Sequence, residues 1–301
     1  MRIILNGKKA GYETVRSAIS TVREKYRALE VRVTYEYGDV ERFVREAHRE
    51  GVERLIIGGG DGSVNEIVNA LAKLPREERP ELAIVPLGTA NDFATACAIP
   101  PDTLESLYLA LSGTTTPIDI VSANERYFIN IATAGFGAEV TADTPTELKN
   151  FLGGGAYTLM GILKILDFTP YKANIKTADY EGEESGIIAA VCNGRQAGGG
   201  QILAPQAYIN DGQLDVVIVP PFFPLSDSIL KKIIREIQSP VDTSRFVKYF
   251  KTPWIETKTE HPAPVNLDGE PYRSDKIRFE IQPEAIDLVL PKECPCIQKA
   301  G

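Results

Sequence analysis

Short apolar runs alternate with amphipathic stretches along the first third of the chain. The runs of strand length are residues 2–5, 31–35, 54–57 and 82–85. Between them, apolar residues recur at helical spacing over residues 13–29, 39–51 and 64–74. Strands that alternate with helices build a parallel sheet with helices on both faces and right-handed crossovers. The pattern predicts a doubly wound, Rossmann-like α/β domain.

The pattern changes after Pro117, where strand-like runs become more frequent than helical ones. Residues 118–121 and 127–132 are spaced as a hairpin around Ala123-Asn124-Glu125. Later strand-like runs are 187–191, 216–219, 246–250, 277–281 and 286–290, and two helical stretches are 156–168 and 225–237. We therefore expect an α/β domain over residues 1–122 and a β-rich, sandwich-like domain over 123–287. Residues 288–301 are expected to return to the first domain.

Residues 55–66, Leu-Ile-Ile-Gly-Gly-Gly-Asp-Gly-Ser-Val-Asn-Glu, are a buried-type strand that breaks into glycines and restarts as a helix. Without Cβ atoms, backbone N–H groups can approach a phosphoryl oxygen closely, and a helix N-terminus favours an anion. We expect the helix to start at Ser63. Ser63 and Glu66 also fit a capping box, which would be ordinary helix punctuation. Capping does not require three consecutive glycines, so the stretch predicts a phosphate-binding turn.

A second polar loop follows the next predicted strand. Residues 86–94 read Pro-Leu-Gly-Thr-Ala-Asn-Asp-Phe-Ala and combine a turn glycine with hydroxyl, amide and carboxylate groups. Asn91 or Asp92 could simply cap a short helix. Ligands of such sheets bind at the carboxyl ends of the strands, so we expect this loop and the glycine turn to share a nucleotide site. The sequence lacks a Walker-type Gly-x-x-x-x-Gly-Lys-Ser/Thr motif. No acidic residue ends the strand 82–85, where a dinucleotide site would need one to bind the ribose, so a dehydrogenase is disfavoured.

Composition narrows the class of protein. Of the 301 residues, 43% are hydrophobic and 25% are charged, a globular balance with room for two domains. The net charge of −8 disfavours nucleic acid as a partner. Without a membrane-spanning run or a signal peptide pattern, we expect a cytoplasmic protein. The chain has only two histidines, His48 and His261. Its four cysteines, Cys97, Cys192, Cys294 and Cys296, are expected to lie in unrelated surroundings. Zinc catalysis and a Ser-His-Asp triad are therefore disfavoured.

Three separated motifs together resemble a known family. They are Gly58–Ser63, Pro86–Phe93 and the sequence Asn-Leu-Asp-Gly-Glu-Pro at Asn266–Pro271. In this order they are similar to the diacylglycerol kinase catalytic-domain superfamily, which includes diacylglycerol, sphingosine and ceramide kinases. Residues 193–200 and 209–212 look most like the bacterial YegS-type lipid kinases. The resemblance implies an ATP-dependent kinase that phosphorylates a membrane lipid with a free hydroxyl, in a cleft between the two domains.

The resemblance also implies site residues. Glu270 would accept the proton of the lipid hydroxyl, with Asp268 as neighbour and fallback. A divalent ion, Mg²⁺ or Ca²⁺, would be held in the second domain by Tyr208, Asp211 and Gln213, partly through backbone carbonyls. The expected nucleotide-binding residues are Asn6, Thr34, Gly58, Gly59, Gly60, Asp61, Gly62, Ser63, Val64, Asn65, Glu66 and Thr89. As alternatives, Asp211-Gly212 and Asp268-Gly269 could be plain turns.

Phosphoryl transfer needs held phosphates, a divalent ion to offset their charge and a carboxylate near the attacking hydroxyl, and these residue types provide all three. An NAD kinase and a non-catalytic nucleotide- or lipid-binding regulator are the alternative functions. A lipid substrate implies peripheral contact with the inner face of the membrane. The basic face of residues 228–235, with Lys231 and Lys232, is a candidate docking surface, although most amphipathic helices simply pack on a core. Diacylglycerol, phosphatidylglycerol and long-chain bases all offer a suitable hydroxyl.

Overall fold

The computed structural model describes residues 1–135, 170–221, 227–240 and 244–299. The first four strands are β1 Arg2–Leu5, β2 Glu30–Val33, β3 Arg54–Gly59 and β4 Glu81–Pro86. They are all parallel and lie in the order β2-β1-β3-β4 across the sheet. The predicted parallel sheet is confirmed.

Helices cover both faces of this sheet. They are α1 Gly7–Ala10, α2 Glu13–Lys25, α3 Asp39–Arg49, α4 Asp61–Ala72, α5 Asp92–Ala96 and α6 Thr103–Ser112, with a 3-10 turn at Arg76–Glu78. α2 and α6 share an apolar core with Ile56, whereas α3 and α4 share another with Ile57. Successive strand residues point to opposite faces, so β3 is buried on both sides, as its continuous apolar run requires.

The strand order reverses direction between β1 and β3, because β2 lies outside β1 and β4 lies outside β3. In open α/β sheets, the loops that leave two such strands diverge and open a crevice at the carboxyl edge. The loop after β1 begins at Asn6, and the loop after β3 is Gly60. The topology therefore opens a crevice at the glycine turn.

The second half of the chain is built from antiparallel strands. These are β5 Thr115–Ala123, β6 Arg126–Phe128, β7 Ile131–Gly135, β8 Tyr171–Lys176, β9 Glu181–Gly186, β10 Ile188–Cys192, β11 Gln196–Ala197, β12 Gln201–Ile202, β13 Leu214–Val219, β14 Lys248–Thr252, β15 Trp254–Leu267 and β16 Glu270–Val289. The β15–β16 hairpin is long, and β15 pairs with β7 near the hairpin turn and with β8 further away. An apolar core that includes Phe128, Val216 and Phe279 lies within this sheet. The predicted β-rich second half is confirmed.

β16 connects the two halves. Its early part pairs with β15 and β5, and near its end Leu288 pairs in parallel with Leu82 of β4. Ile286, Leu288 and Leu290 pack in the core beneath α3 and α4. The sheet therefore continues from one half into the other, and the division between residues 122 and 123 stays a prediction.

Several predicted elements differ in their bounds. α4 starts earlier than expected, at Asp61. β2 ends at Val33, before the predicted end, because the Asp39 carboxylate closes a loop after it. This carboxylate accepts hydrogen bonds from the N–H groups of Tyr35 and Glu36 at 2.6 and 3.1 Å. The stretch predicted as a helix at 225–237 is α7 Asp227–Gln238, whose Ile233 packs under β13, and residues 225–226 lie outside the described residues. The predicted helix Ala156–Phe168 also lies outside them.

The expectation that the cysteines lie in unrelated surroundings is wrong for three of them. The buried thiols of Cys294 and Cys296 are hydrogen-bonded with the thiol of Cys97, and Cys296 Sγ also lies 3.2 Å from the Ala96 carbonyl oxygen. The chain end after β16 therefore packs against the end of α5. About 200 residues separate Cys97 from the other two, so sequence spacing could not reveal the cluster.

Candidate active site

The ends of β1 and β2 are joined by short polar contacts. The backbone N–H of Asn6 donates to the Gly58 carbonyl at 2.8 Å, and its side-chain Nδ2 lies 3.3 Å from Ser63 Oγ. The Thr34 hydroxyl accepts a hydrogen bond from the N–H of Gly7 at 3.1 Å. Asn6, Thr34 and Ser63 therefore lie at the same edge of the sheet.

Glycines are required in this turn because neighbouring atoms lie too close for a Cβ atom, and not because the backbone has unusual dihedral angles. Gly60 is extended, with φ −97° and ψ −168°. A Cβ on Gly59 would come within 2.4 Å of the Ser63 side chain, and one on Gly88 would lie 2.5 Å from Gly60 Cα. No side chain caps α4, so its first-turn N–H groups are available to an anion. The turn has the geometry of a phosphate cradle.

The structure corrects the interpretation of Ser63 and Glu66. α4 begins at Asp61 with Gly60 as its N-cap, so Ser63 lies within the first turn and neither residue forms a capping box. The Ser63 hydroxyl instead contacts Asn6. Glu66 and Glu270 line the same groove, and burial together with the Glu270 carboxylate raises the pKa of Glu66.

The second polar loop packs directly on the glycine turn. Asn91 is left-handed, with φ 51°, and its side chain closes the loop by accepting from the Gly88 N–H at 2.8 Å and donating to the Gly88 carbonyl at 3.0 Å. Asn91 therefore closes the loop through its side chain and also directly precedes α5. The loop exposes Thr89 beside the contact between Gly88 and Gly60.

Two aspartates meet between the two loops. Burial, followed by the Asp92 carboxylate, raises the pKa of Asp61, and Asp61 Oδ1 lies 3.4 Å from the Phe93 N–H nitrogen. Asp92 is only 5% exposed and accepts the N–H groups of Gly199 and Gly200 at 2.9 and 2.6 Å. The loop 193–200 is therefore attached to the N-terminus of α5.

Asp268 and Gly269 form a two-residue hairpin turn, with φ values of 52° and 97° and Leu267 paired with Glu270. The buried Asp268 carboxylate accepts hydrogen bonds from Asn65 Nδ2 at 3.2 Å and from three consecutive N–H groups, those of Ile129, Asn130 and Ile131, at 2.8 to 3.0 Å. Burial raises the pKa of Asp268 to about 6, while these donors oppose that shift. Both carboxylate oxygens of Asp268 therefore already accept hydrogen bonds from groups of the protein.

The turn places Glu270 over the glycine turn. Glu270 begins β16 and its side chain is exposed, and Oε1 lies 3.5 Å from the point that a Cβ on Gly62 would occupy. Gly62 is in the first turn of α4, where a phosphate would bind. Two motifs about 210 residues apart in the sequence therefore meet in one cleft.

A pair of asparagines on α4 fixes the distance between the two halves. Asn69 and the backbone of Tyr127 exchange two hydrogen bonds, Nδ2 to the carbonyl at 2.8 Å and N–H to Oδ1 at 2.9 Å. Asn65 Nδ2 also donates to the Tyr127 carbonyl at 3.2 Å. Sequence reasoning missed Asn69. The spacing of four residues between Asn65 and Asn69 could have indicated its role, because this spacing places the two amides on one face of the helix.

An open groove of about 290 Å³ lies beside Glu270, between the N-terminal end of α3, one face of α4 and the β5–β6 hairpin. Its walls include Tyr37, Glu66, Asn69, Lys73, Arg126 and Glu270. Glu66 and Asn65 of the predicted nucleotide set face this groove. Val64 is buried in the apolar core, so only its backbone could contact a ligand.

The predicted metal ligands form a separate cluster. Asp211 Oδ1 accepts the N–H of Gln213 at 3.1 Å, while Asp211 Oδ2 lies 2.7 Å from the Lys251 ammonium. The Tyr208 ring lies 5.7 Å from the same ammonium. A cation of the chain itself thus contacts the one carboxylate of the predicted set, so these residues do not fit a divalent ion. Among the described residues, no group of three or more acidic, histidine or cysteine side chains is arranged to hold a metal.

Family comparisons agree with this architecture. A family model described as the diacylglycerol kinase catalytic domain matches residues 1–123, and one described as the YegS C-terminal NAD kinase beta sandwich-like domain matches residues 130–290. The chain therefore belongs to the YegS-type branch of the diacylglycerol kinase catalytic-domain family, and its first part is a kinase catalytic domain. The family predicted from the three motifs is confirmed.

Relatives match along the whole chain. A protein of Shewanella frigidimarina is 48% identical over 306 residues, covering 100% of this chain and 98% of the relative, and one of Chromohalobacter salexigens is 45% identical, covering 96% and 93%. Both are named "Probable lipid kinase YegS-like". A crystal structure from Bacillus anthracis strain Sterne, described as a candidate diacylglycerol kinase, superposes with a TM-score of 0.81 at 26% identity, covering 97% of this chain and 96% of that one.

Gly88→Ala should separate the two loops of the phosphate cradle. The new Cβ would lie 2.5 Å from Gly60 Cα, a backbone atom that cannot rotate away. We expect ATP affinity to fall about tenfold or more and the free energy of unfolding to fall by about 1–3 kcal/mol. Nucleotide titration calorimetry and thermal unfolding measure the two effects. Gly11→Ala, where a Cβ meets nothing within 4 Å, is the control; equal behaviour of the two variants would refute the close-approach argument.

Asp268→Asn should destabilise the fold. The amide NH₂ replaces one acceptor oxygen and would face backbone N–H groups, and each buried donor left without a partner costs about 1–3 kcal/mol. We expect a lower midpoint of thermal unfolding, measured by calorimetry. Asp275→Asn, on the exposed part of β16, is the matched control and should leave the midpoint unchanged. An unchanged midpoint for Asp268→Asn would contradict the proposed importance of its four donors.

Proposed function

We propose that the protein is an ATP-dependent lipid kinase that transfers the γ-phosphoryl group of ATP to the hydroxyl of a membrane lipid. The observation that carries the proposal is the position of Glu270, whose carboxylate lies over the first turn of α4 beside the glycine turn. The names of the full-length relatives support the lipid class of the acceptor. An assay with a panel that includes diacylglycerol, phosphatidylglycerol and similar alcohols would identify the lipid that is phosphorylated.

In this proposal the triphosphate binds at the turn formed by residues 58–63, where first-turn N–H groups and the helix dipole stabilise negative charge. Residues 64–66 continue the site along α4. Asn6 and Thr34 close it at the ends of β1 and β2, and Thr89 closes it from the second loop. Contact between Gly60 and Gly88 aligns the two loops, so the phosphates are positioned by backbone rather than by flexible side chains.

Glu270 is proposed to accept the proton of the lipid hydroxyl as that oxygen bonds to the γ-phosphorus and the bond from the γ-phosphorus to the β–γ bridging oxygen breaks, which releases ADP. Its side chain is exposed and lies at the end of a rigid two-residue turn, so it can reach a hydroxyl in the cleft. Asp268 is proposed to be a positioning residue, because its oxygens are taken by four N–H donors. Glu66 lies beside Glu270, and burial together with the Glu270 carboxylate raises the pKa of Glu66.

ATP is expected to carry a divalent ion, Mg²⁺ in our proposal, whose charge would offset that of the phosphates. Asp61 fits this role, since burial and the neighbouring Asp92 carboxylate raise the pKa of Asp61 and a positive charge there would offset that effect. Asp61 is the more available of the two, because both oxygens of Asp92 hold the N–H groups of Gly199 and Gly200.

Glu270→Gln should lower turnover by about 10²–10⁴-fold, because glutamine cannot accept the hydroxyl proton. ATP affinity and thermal stability should stay close to those of the unchanged protein, since the side chain is exposed. The measurement is transfer of labelled phosphate from ATP to vesicles of a lipid panel, together with nucleotide titration. Glu260→Gln, exposed on β15, controls for loss of charge. Near-normal turnover of Glu270→Gln would remove Glu270 from the proposed role.

The same assay separates the alternatives. Phosphorylation of NAD⁺ and of no lipid would identify an NAD kinase-like enzyme, to which the second half is related by its family description. Nucleotide binding without transfer to any acceptor would identify a non-catalytic regulator. The exposed carboxylate of Glu270 at the phosphate cradle favours the kinase, because a binding protein has no need of a base there.

We propose peripheral contact with the inner face of the membrane through α7. Lys231 and Lys232 are exposed on this helix, while Ile233 and Ile237 pack in the core. Exposed lysines attract anionic lipid headgroups. Within the described residues, no helix has the length and apolar character to cross a membrane.

Charge reversal of Lys231 and Lys232 to Glu should weaken binding to anionic vesicles, because two attractive charges become repulsive at the proposed contact. Co-sedimentation with vesicles containing phosphatidylglycerol, at low and at physiological salt, measures the effect. Charge reversal of Lys25 and Arg27, which are exposed at the end of α2, is the control with the same change in net charge. Equal binding of the two double variants would place the docking surface elsewhere.

A further inference from the structure

The turn between Ile209 and β13 already contains a cation. The ammonium of Lys251, from the neighbouring strand β14, lies 2.7 Å from Asp211 Oδ2 and 3.3 Å from Asp215 Oδ2. The same ammonium lies 3.4 Å from the Gln206 carbonyl oxygen. Two carboxylates and one carbonyl oxygen therefore surround a single positive charge.

Both carboxylates of this cluster are removed from water. The Asp211 side chain is 8% exposed and the Asp215 side chain 0% exposed. Asp215 also accepts a hydrogen bond from the Tyr249 hydroxyl. Buried carboxylates in contact require a positive partner, and in this structure the partner belongs to the chain.

Hydrogen bonds within the protein also hold the backbone of the turn. The Gly212 N–H, at φ +68°, donates to Asp119 Oδ2 at 2.8 Å, and Asp119 Oδ1 accepts the Glu284 N–H at 2.8 Å. Asp211 Oδ1 holds the N–H of Gln213.

A divalent ion at Asp211 would meet the ammonium within a few ångströms. It could bind only by displacing Lys251, which would leave the Asp215 carboxylate buried without its positive partner. Removal of one partner of a buried ion pair is strongly unfavourable. The charge of the turn therefore opposes metal binding as long as Lys251 is present.

We propose that Lys251 replaces the divalent ion at this turn, so that the Tyr208, Asp211 and Gln213 cluster binds no metal in this protein. Any metal requirement of the enzyme would then come from the nucleotide site alone. The proposal concerns metal binding without nucleotide, so it can fail or succeed independently of the kinase proposal.

Tb³⁺ luminescence excited through tyrosine tests the proposal at this site, because the Tyr208 ring lies 5.7 Å from the ammonium position. The metal-free, full-length protein should give no Tyr208-dependent signal, and Ca²⁺ titration calorimetry without nucleotide should give the same result for it and for Asp211→Asn. Lys251→Met should create a site that binds Ca²⁺ about tenfold or more tightly than the unchanged protein does. Addition of Tyr208→Phe should remove the luminescence, and addition of Asp211→Asn should remove Ca²⁺ binding.

Lys248→Met is the matched control, because Lys248 lies on the same strand and pairs with Glu184 instead. It should gain no site. A Ca²⁺ site in the unchanged protein that Asp211→Asn abolishes would overturn the proposal, as would a folded Lys251→Met variant that gains none. If Lys251→Met does not fold, the comparison of the unchanged protein with Asp211→Asn decides the question by itself.

Discussion

The arrangement of the cleft depends on the buried carboxylate of Asp268. A carboxylate out of water is stable only when its charge is met by donors, and here three backbone N–H groups of residues 129–131 and the Asn65 amide supply them. These donors come from both halves of the chain. Movement of α4 or of the 129–131 segment away from the turn would leave a buried charge with too few partners, so the pieces stay together or the fold loosens as a whole.

α4 transmits this constraint to the phosphate cradle. Its first turn provides the N–H groups beside Gly62, and on the following turns Asn65 and Asn69 bind Asp268 and Tyr127. One rigid helix therefore sets the distance between the glycine turn and Glu270. The same device recurs at Asp92, which receives the N–H groups of Gly199 and Gly200, and at Asp119, which receives those of Gly212 and Glu284. Buried carboxylates join loops that no strand pairing joins.

The sequence was sufficient for the first four strands, the helices between them and the three motifs, because these depend on local periodicity and glycine spacing. It did not predict β8, β9 or β15. It misplaced the start of α4, since a Ser-x-x-Glu pattern looks the same inside a helix as at its N-cap, and only the extended Gly60 backbone decides between them. Asn69, the cysteine contact and the Lys251 ion pair were missed because they join residues 40 to 200 positions apart. Such partners are decided by strand pairing, which no residue pattern of a single sequence encodes.

In the proposed function, the two cations serve different physical purposes. At the glycine turn, Asp61, Glu66 and Glu270 lie near the place where a triphosphate would add more negative charge, so in this proposal a cation comes with the nucleotide and leaves with the product. At the Asp211 turn the carboxylates are buried side chains of the fold itself, so a positive charge that is also part of the chain suits them. A lysine on β14 is such a charge, because it is folded into place with the carboxylates it neutralises.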